Sequence, residues 1–257
     1  MLEKVIVKEF ESMLDSMVPG LSVDCVIIGY EDHELKILVL KWKAEGDLWG
    51  LPGGFVFKNE DLDKAAVRVL KERTGLELPF LEQFMTFGDY DRRDRKTLSK
   101  TLESIGGKTK ILKWLSQRFI TIGYLSLVDI QKCDLRLDFA SEQIKWIPIK
   151  ELRQLVFDHN QIVKSAVKHL KIQINYLPIG IQLLPEKFTM KELQKLYESI
   201  LEMELDRGNF QRKMLKLGVF IRREKQLEGG AHKAPYLYSF DKEKYNMLLK
   251  QGFGFNV

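Results

Sequence analysis

The chain has 257 residues, of which 45% are hydrophobic and 30% charged, and its formal net charge is +5. These values are ordinary for a globular protein with room for one large domain or two modest ones. The sequence has no run of 18 apolar residues and no signal-peptide core, so we expect a cytoplasmic protein without a transmembrane helix. The two cysteines, Cys25 and Cys133, lie far apart, which disfavours a disulfide or a metal pair.

The positive charge is confined to one end of the chain. From Lys187 to Val257 there are 14 Lys+Arg and 9 Asp+Glu, so this segment holds the whole excess and the first 186 residues are neutral. Such asymmetry predicts a neutral body joined to a C-terminal domain that faces nucleic acid.

The N-terminal part predicts a helix followed by two buried strands. Apolar residues recur at helical spacing over residues 3–17, and Pro19-Gly20 is expected to end that helix. Ser22–Tyr30 and Lys36–Lys43 are near-continuous apolar runs, as in strands that are covered on both faces.

The next stretch, Leu51–Leu76, has the spacing of a Nudix box, Gly-x5-Glu-x7-Arg-Glu-U-x-Glu-Glu-x-Gly-U, where U is a bulky aliphatic residue. The box residues present are Gly54, Glu60, Arg68, Leu70, Glu72, Gly75 and Leu76. A regular apolar stripe predicts a helix over Leu62–Thr74 that ends at Gly75.

Two of the three helix carboxylates of the box are absent, because Val69 and Arg73 stand in their places. Mg²⁺ needs several oxygen ligands, and a guanidinium at the metal position opposes a cation. The sequence therefore predicts no metal site, no cofactor and no catalytic residue, and a cavity that binds without cleaving. Arg68 and Glu72 are expected to pair with each other, and Glu60 with a stray cation or a ligand hydroxyl.

Further strands and helices complete a first domain over residues 1–176, of class α+β with an α/β/α layering. The predicted strands are Phe80–Phe87, Phe119–Val128 and Lys145–Ile149, and the predicted helices are Glu151–Val156 and Gln161–Leu170, with Asp158 as a cap of the latter.

Between two of these strands lies a basic segment, Gly88–Arg118. Nine basic and three acidic residues fall between Asp91 and Arg118. Two interpretations stay open: a solvated loop, or a flap that closes over a ligand or touches DNA. A short helix is expected around Thr97–Ile105.

A linker over residues 177–186, rich in proline and apolar, separates the first domain from a second over residues 187–257. In the second domain Thr189 and Glu192 predict a capping box at the start of a helix. Asp206 predicts the cap of a second, basic helix, Arg207–Leu217. The strands Val219–Arg223 and Tyr236–Phe240 follow.

Helix, turn, basic helix and hairpin is the order of a winged helix-turn-helix domain. Its second helix and hairpin would contact base edges and phosphates. The candidate DNA-binding residues are Arg207, Gly208, Asn209, Arg212, Lys213, Lys216, Arg222, Arg223, His232 and Lys233. A protein-interaction module or a merely solvated basic face are the alternatives.

Taken together, the degenerate box and the pieces Pro178–Pro185, Phe188–Glu198 and Asp206–Lys213 resemble the Nudix-related transcriptional regulators of bacteria. The resemblance implies a homodimer that binds an operator through a winged helix. It also implies a Nudix fold that binds a small effector, either a pentose sugar or an ADP-ribose-like nucleotide. The candidate effector-binding residues are Gly54, Phe55, Glu60, Arg68, Glu72 and Arg118. The alternative is a Mg²⁺-dependent hydrolase of nucleoside diphosphate derivatives.

Overall fold

The computed structural model describes residues 11–43, 46–77, 80–92, 109–138, 140–175, 182–226 and 234–251. The chain divides into two compact units. The first comprises residues 1–29 and 36–166, and the second comprises residues 30–35 and 167–257.

The first unit is organised around a seven-stranded mixed sheet. Its strands are β1 (Met17–Glu31), β2 (Glu34–Trp42), β3 (Trp49–Gly50), β4 (Gly53–Phe57), β5 (Phe80–Phe87), β6 (Ile120–Leu127) and β7 (Ser141–Pro148). The main path runs β3-β2-β1-β6-β5, with β4 paired to β1 and β7 paired to β2. Strand β1 is parallel to β6 and antiparallel to β4.

The apolar runs of β1 and β2 form the centre of this sheet, as predicted. Val23 and the stretch from Cys25 to Ile28 are fully buried. Helix α1 (Leu62–Thr74) covers them with the stripe that the sequence predicts, since Ala65, Ala66, Val69 and Leu70 are all fully buried. The helix ends at Gly75, whose φ of 70° favours glycine.

Four details of the first unit differ from the predictions. The N-terminal helix ends before β1, a 3₁₀ turn spans Leu14–Ser16, and Pro19-Gly20 lies inside β1. Residues 109–115 form a helix, α2 (Thr109–Leu115), so the solvated-loop interpretation is wrong there. Only a 3₁₀ turn, Ile149–Glu151, occurs near the predicted helix Glu151–Val156. The fourth concerns Asp158, which directly precedes α3 (His159–Gln173): its carbonyl accepts the N–H groups of Gln161 and Ile162, and its carboxylate binds Arg92.

Helix α2 is stabilised by burial of its apolar side chains against neighbouring segments of the first unit. Ile111 and Trp114 are buried against Leu14 and Phe119 in a second apolar cluster. Lys110 adds an ion pair to Asp15, with 2.9 Å between Nζ and Oδ2. The predicted helix Thr97–Ile105 lies outside the described residues.

The second unit contains two helices, a three-stranded sheet and a final helix. Its elements are β8 (Phe188–Thr189), α4 (Met190–Leu201), α5 (Arg207–Lys216), β9 (Phe220–Lys225), β10 (Tyr236–Phe240) and α6 (Lys242–Gln251). Strand β10 is central and antiparallel to both β8 and β9. The fully buried Phe188 packs against the rings of Phe220 and Phe240, so one aromatic cluster joins the three strands.

Both predicted helix caps of the second unit are confirmed. Thr189 and Glu192 form a reciprocal capping box on α4, and the Asp206 carboxylate accepts the backbone N–H of Asn209 on α5. Helix α6 was not predicted, and residues 177–181 of the predicted linker lie outside the described ranges. Across the part of the chain that the structure describes, no helix combines the length and the apolar character needed to cross a bilayer.

Candidate functional site

Arg68 is the centre of the box loop. Its Nε and Nη2 donate to the two carboxylate oxygens of Glu60 at 2.7 and 2.9 Å, and Nη2 also donates to the carbonyl of Phe55 at 2.9 Å. These hydrogen bonds hold the pKa of the Glu60 carboxyl below its ordinary value. Glu72 is a weaker partner, at 3.7 Å from Arg68 Nη1. Glu60, predicted to meet a cation or a hydroxyl, is therefore already engaged by Arg68.

The side chains at the two substituted box positions, Val69 and Arg73, make structural contacts. Val69 is fully buried and packs against Gly54, where an added Cβ would lie 2.7 Å from Val69 Cγ2. Arg73 donates from Nη2 to Asp138 Oδ2 at 2.6 Å, and its side chain is 8% exposed. Valine has no donor atom and a paired guanidinium repels a cation, so these side chains do not fit Mg²⁺. No cluster of three His, Cys, Asp or Glu among the described residues is placed to hold a metal ion.

The structure brings five of the predicted effector-binding residues together. Gly54, Phe55, Glu60 and Glu72 all lie around Arg68. The ring of Phe55 packs edge-on against Trp114, with 4.5 Å between centroids. The sixth residue lies elsewhere, since Arg118 donates to the carbonyl of Gly88 at 2.6 Å.

A cavity of about 480 Å³ opens beside the box loop. Glu60, Asp61 and Asp63 line it, against a single cation, Lys58. The Asp63 carboxylate accepts a hydrogen bond from the Tyr124 hydroxyl at 2.7 Å. Burial, and after it this hydrogen bond, raises the pKa of that hydroxyl. Glu60 and Asp61 are already paired with Arg68 and Lys64, so Asp63 is the carboxylate of this cavity that would accept a hydroxyl or amino group of a ligand.

A buried charge cluster lies near the box, and the sequence does not predict it. The Arg92 guanidinium donates to both carboxylate oxygens of Asp158 at 2.9 Å and lies 3.6 Å from Asp24 Oδ2. His159 Nε2 faces Asp24 Oδ1 at 3.8 Å, while its Nδ1 accepts the backbone N–H of Leu51 at 2.9 Å. The cluster links β1, the segment after β5 and the start of α3, and His159 connects it to Leu51 at the start of the box stretch.

In the second unit, the predicted basic face of α5 is exposed. Phe210 and Met214 are buried, and the side chains on the other faces of the helix reach solvent. These exposed residues include Arg207, Gly208, Asn209, Arg212, Lys213 and Lys216. The Arg212 guanidinium donates to Asn209 Oδ1 at 2.9 Å, so the two side chains present a joint donor-acceptor surface.

The hairpin beside α5 carries an ordered group of cations. The Arg222 guanidinium lies 3.3 Å from the centroid of Tyr236 and the Lys225 ammonium lies 5.3 Å from it. Arg223 donates to Ser239 Oγ at 2.9 Å. His232 and Lys233, which the sequence also assigns to DNA, lie outside the described residues.

Glu198 fixes the turn that sets α5 against α4. Its carboxylate accepts from Lys195 Nζ at 2.7 Å, from Gln194 Nε2 at 2.9 Å and from the backbone N–H of Leu205 at 3.1 Å. These bonds lower the pKa of Glu198 to about 2. Because Leu205 precedes the cap Asp206, this network positions the start of the candidate DNA helix.

We therefore expect Glu198→Gln to lower the stability of the second unit at neutral pH. The folded-state pKa of Glu198 is below its ordinary value of 4.5. The stabilisation is thus complete above that value and is lost as the pH falls towards 2. Urea midpoints measured from neutral pH downwards should show a gap between wild type and variant that closes on acidification. The neighbouring exposed substitution Glu204→Gln is the control and should show no such gap; a gap that is independent of pH contradicts the assignment.

The two units define a class of protein: an α+β domain with a Nudix-type loop and helix, joined to a winged helix-turn-helix domain. Residues 18–169 match the NUDIX domain family, and residues 180–240 match the NrtR DNA-binding winged helix domain. The chain belongs to the Nudix domain family and, within it, to the Nudix-related transcriptional regulators. The predicted resemblance and the predicted fold class are confirmed.

Three relatives illustrate this similarity. The chain is 29% identical over 234 residues to the ADPR responsive transcriptional repressor NtrR of Acinetobacter baylyi. The aligned region covers 89% of this chain and 84% of the relative. The chain is 26% identical over 152 residues to an ADP-ribose pyrophosphatase of Methanocaldococcus jannaschii, covering 58% and 74% of the two chains. The crystal structure of Shewanella oneidensis NrtR complexed with a 27mer DNA superposes with a TM-score of 0.70 at 27% identity, covering 88% of this chain and 95% of the other.

Proposed function

We propose that the protein is a ligand-responsive transcriptional repressor that binds an operator as a homodimer and responds to ADP-ribose or a closely related nucleotide. The observation that supports this most is similarity along both units to a repressor described as ADPR responsive. We also propose a cytoplasmic location, because a DNA-binding role requires access to the chromosome.

The effector site of this proposal is the box loop around Arg68. A ligand there would meet the backbone of Gly54 and the Arg68–Glu60 pair, with Phe55 and Glu72 as further candidate contacts. The acidic cavity beside Glu60 would take the hydroxyl groups of a ribose or of a free pentose. A pentose effector therefore stays the second candidate.

The test is operator release. A labelled fragment of DNA from upstream of the gene is titrated with the full-length protein, with and without ADP-ribose, NAD or arabinose. ADP-ribose is expected to weaken binding, and NAD and arabinose are not. If no upstream fragment binds at moderate salt, DNA binding fails; if only arabinose releases the DNA, the effector assignment fails.

Within the DNA interface, Arg212→Ala is expected to weaken specific operator binding by about 1–3 kcal/mol, because a bidentate arginine–base contact has that value. Binding to unrelated DNA should change less. Fluorescence anisotropy with both duplexes measures the difference. Arg153→Ala, an exposed arginine of the first unit, is the control. Equal loss on both duplexes would make Arg212 a phosphate contact instead.

We further propose that the box binds its ligand without hydrolysis. The support is the chemistry at two box positions, where Val69 packs on Gly54 and Arg73 pairs with Asp138. Mg²⁺-dependent turnover of ADP-ribose that disappears in Glu72→Gln would contradict this proposal and favour a hydrolase like the archaeal relative. The assay is product formation by excess protein over an hour-long incubation.

A further inference from the structure

A cleft of about 180 Å³ lies in the second unit, between the starts of α4 and α5 and the strand β10. The side chains that determine its chemistry are Lys191, Arg207, Gln211 and Tyr236. Of these, only Arg207 belongs to the DNA-binding set that the sequence suggests. The cleft is therefore a candidate site of its own.

Two cations line the cleft. Lys191 and Arg207 are exposed, and neither forms an ion pair with another residue in the described part of the chain. Two carboxylates neighbour them in the chain and keep their negative charge: Glu192 accepts from Thr189, and Asp206 accepts from the Asn209 N–H. The attraction for an anion comes from the side-chain cations Lys191 and Arg207.

The opposite wall of the cleft is aromatic and is backed by two more cations. The Tyr236 ring lines the cleft and also carries the Arg222 guanidinium at 3.3 Å and the Lys225 ammonium at 5.3 Å. Cation–π contacts of this kind restrain long side chains that would otherwise sample many rotamers. Tyr236 thus positions the charges of the hairpin next to those of the helices.

From this geometry we infer that the cleft holds one phosphodiester group of the DNA backbone. Lys191 and Arg207 supply the charge, Gln211 a neutral donor, and Tyr236 is a positioning residue for Arg222 and Lys225. The inference rests on the proposed DNA-binding function and adds a phosphate contact on α4, outside the helix that reads bases. A backbone contact fixes register and affinity but carries no sequence preference.

Each phosphate neutralised contributes about 0.9 to the slope of log affinity against log salt concentration. Lys191→Gln should therefore lower that slope by about one, and should weaken binding about five-fold near physiological salt. The loss should be the same on the operator and on unrelated duplex DNA. Tyr236→Ala should weaken binding on both duplexes, while Tyr236→Phe, which keeps the ring, should not.

The experiment titrates the full-length protein with both duplexes over a series of salt concentrations. Lys168→Gln, an exposed lysine of the same unit outside the cleft, is the matched control. Lys191 is exposed, so thermal unfolding of the variant should match that of the wild type. If the wild type binds and Lys191→Gln leaves the slope unchanged, the inference is wrong although the proposed function stands; if the wild type binds no fragment, the proposed function itself has failed.

Inorganic phosphate distinguishes a DNA phosphate from a free anion. At constant ionic strength it should have little effect on the thermal stability of the wild type. Stabilisation by inorganic phosphate that is lost in Lys191→Gln, together with an unchanged DNA salt slope, would overturn the assignment and make the cleft a site for a free anion.

Discussion

Replacing Arg92 with alanine is expected to lower the free energy of unfolding of the first unit by about 3–5 kcal/mol, because removing one partner of a buried ion pair leaves the other charge buried without compensation. The substitution removes a cation that faces two carboxylates. Arg92 Nε lies 2.9 Å from Asp158 Oδ2 and Arg92 Nη2 lies 3.6 Å from Asp24 Oδ2, and the Arg92 side chain is 4% exposed. Urea unfolding measures the change.

The chain supplies a matched control for this substitution. Arg136 pairs with Asp134 at 2.6 Å, but these side chains are 57% and 68% exposed. Arg136→Ala should therefore cost about 0–1 kcal/mol. Adding Asp158→Asn to Arg92→Ala removes one of the stranded charges and should recover part of the loss. Similar unfolding midpoints for Arg92→Ala and Arg136→Ala would show that the cluster is not a stabilising element.

The second large effect is expected from Val69→Glu, which restores a box glutamate. Val69 is fully buried against Gly54, so the new carboxyl has to be held neutral in the folded state. Keeping a glutamate with an ordinary pKa of about 4.3 neutral at pH 7 costs about 4 kcal/mol, at 1.36 kcal/mol for each tenfold change. This part of the cost should vanish as the pH falls towards 4, where the carboxyl is protonated in both states, while the cost of packing the longer side chain remains.

The same substitution at a neighbouring position tests the reasoning. Val67 lies on the same helix with 37% of its surface exposed. Val67→Glu should change stability by less than about 0.5 kcal/mol. Unfolding midpoints of both variants are compared with and without Mg²⁺. Stabilisation of Val69→Glu by Mg²⁺ would show that the site accepts a metal after a single change, against our interpretation.

The sequence predicts the elements whose signals are local. The box helix has the predicted bounds Leu62–Thr74, and the capping residues Thr189 and Asp206 behave as predicted, because periodicity, caps and glycine ends act within a few residues. Helix α2 had a local signal too, since Ile111, Trp114 and Leu115 have helical spacing within a segment that is rich in lysine.

The contacts that shape the site are not local, and the sequence does not predict them. The position of Asp158 before α3 is a local signal, but the partner of its carboxylate, Arg92, lies 66 residues earlier in the chain. In the same way the partner of Arg73, Asp138, lies 65 residues away. No pattern within one helix or strand relates such residues, because only the packing of separate segments brings them together.

The pair formed by Arg73 and Asp138 also bears on how the box can change over evolutionary time. A return to glutamate at position 73 would place a second carboxylate against Asp138, whose side chain is 21% exposed. Like charges at contact are unfavourable, so that step is penalised unless Asp138 changes first. The loop that carries Asp138 is itself hydrogen-bonded to the helix end, through the N–H groups of Asp134 and Arg136. The salt bridge therefore makes a glutamate at position 73 compatible with the fold only together with a change at Asp138.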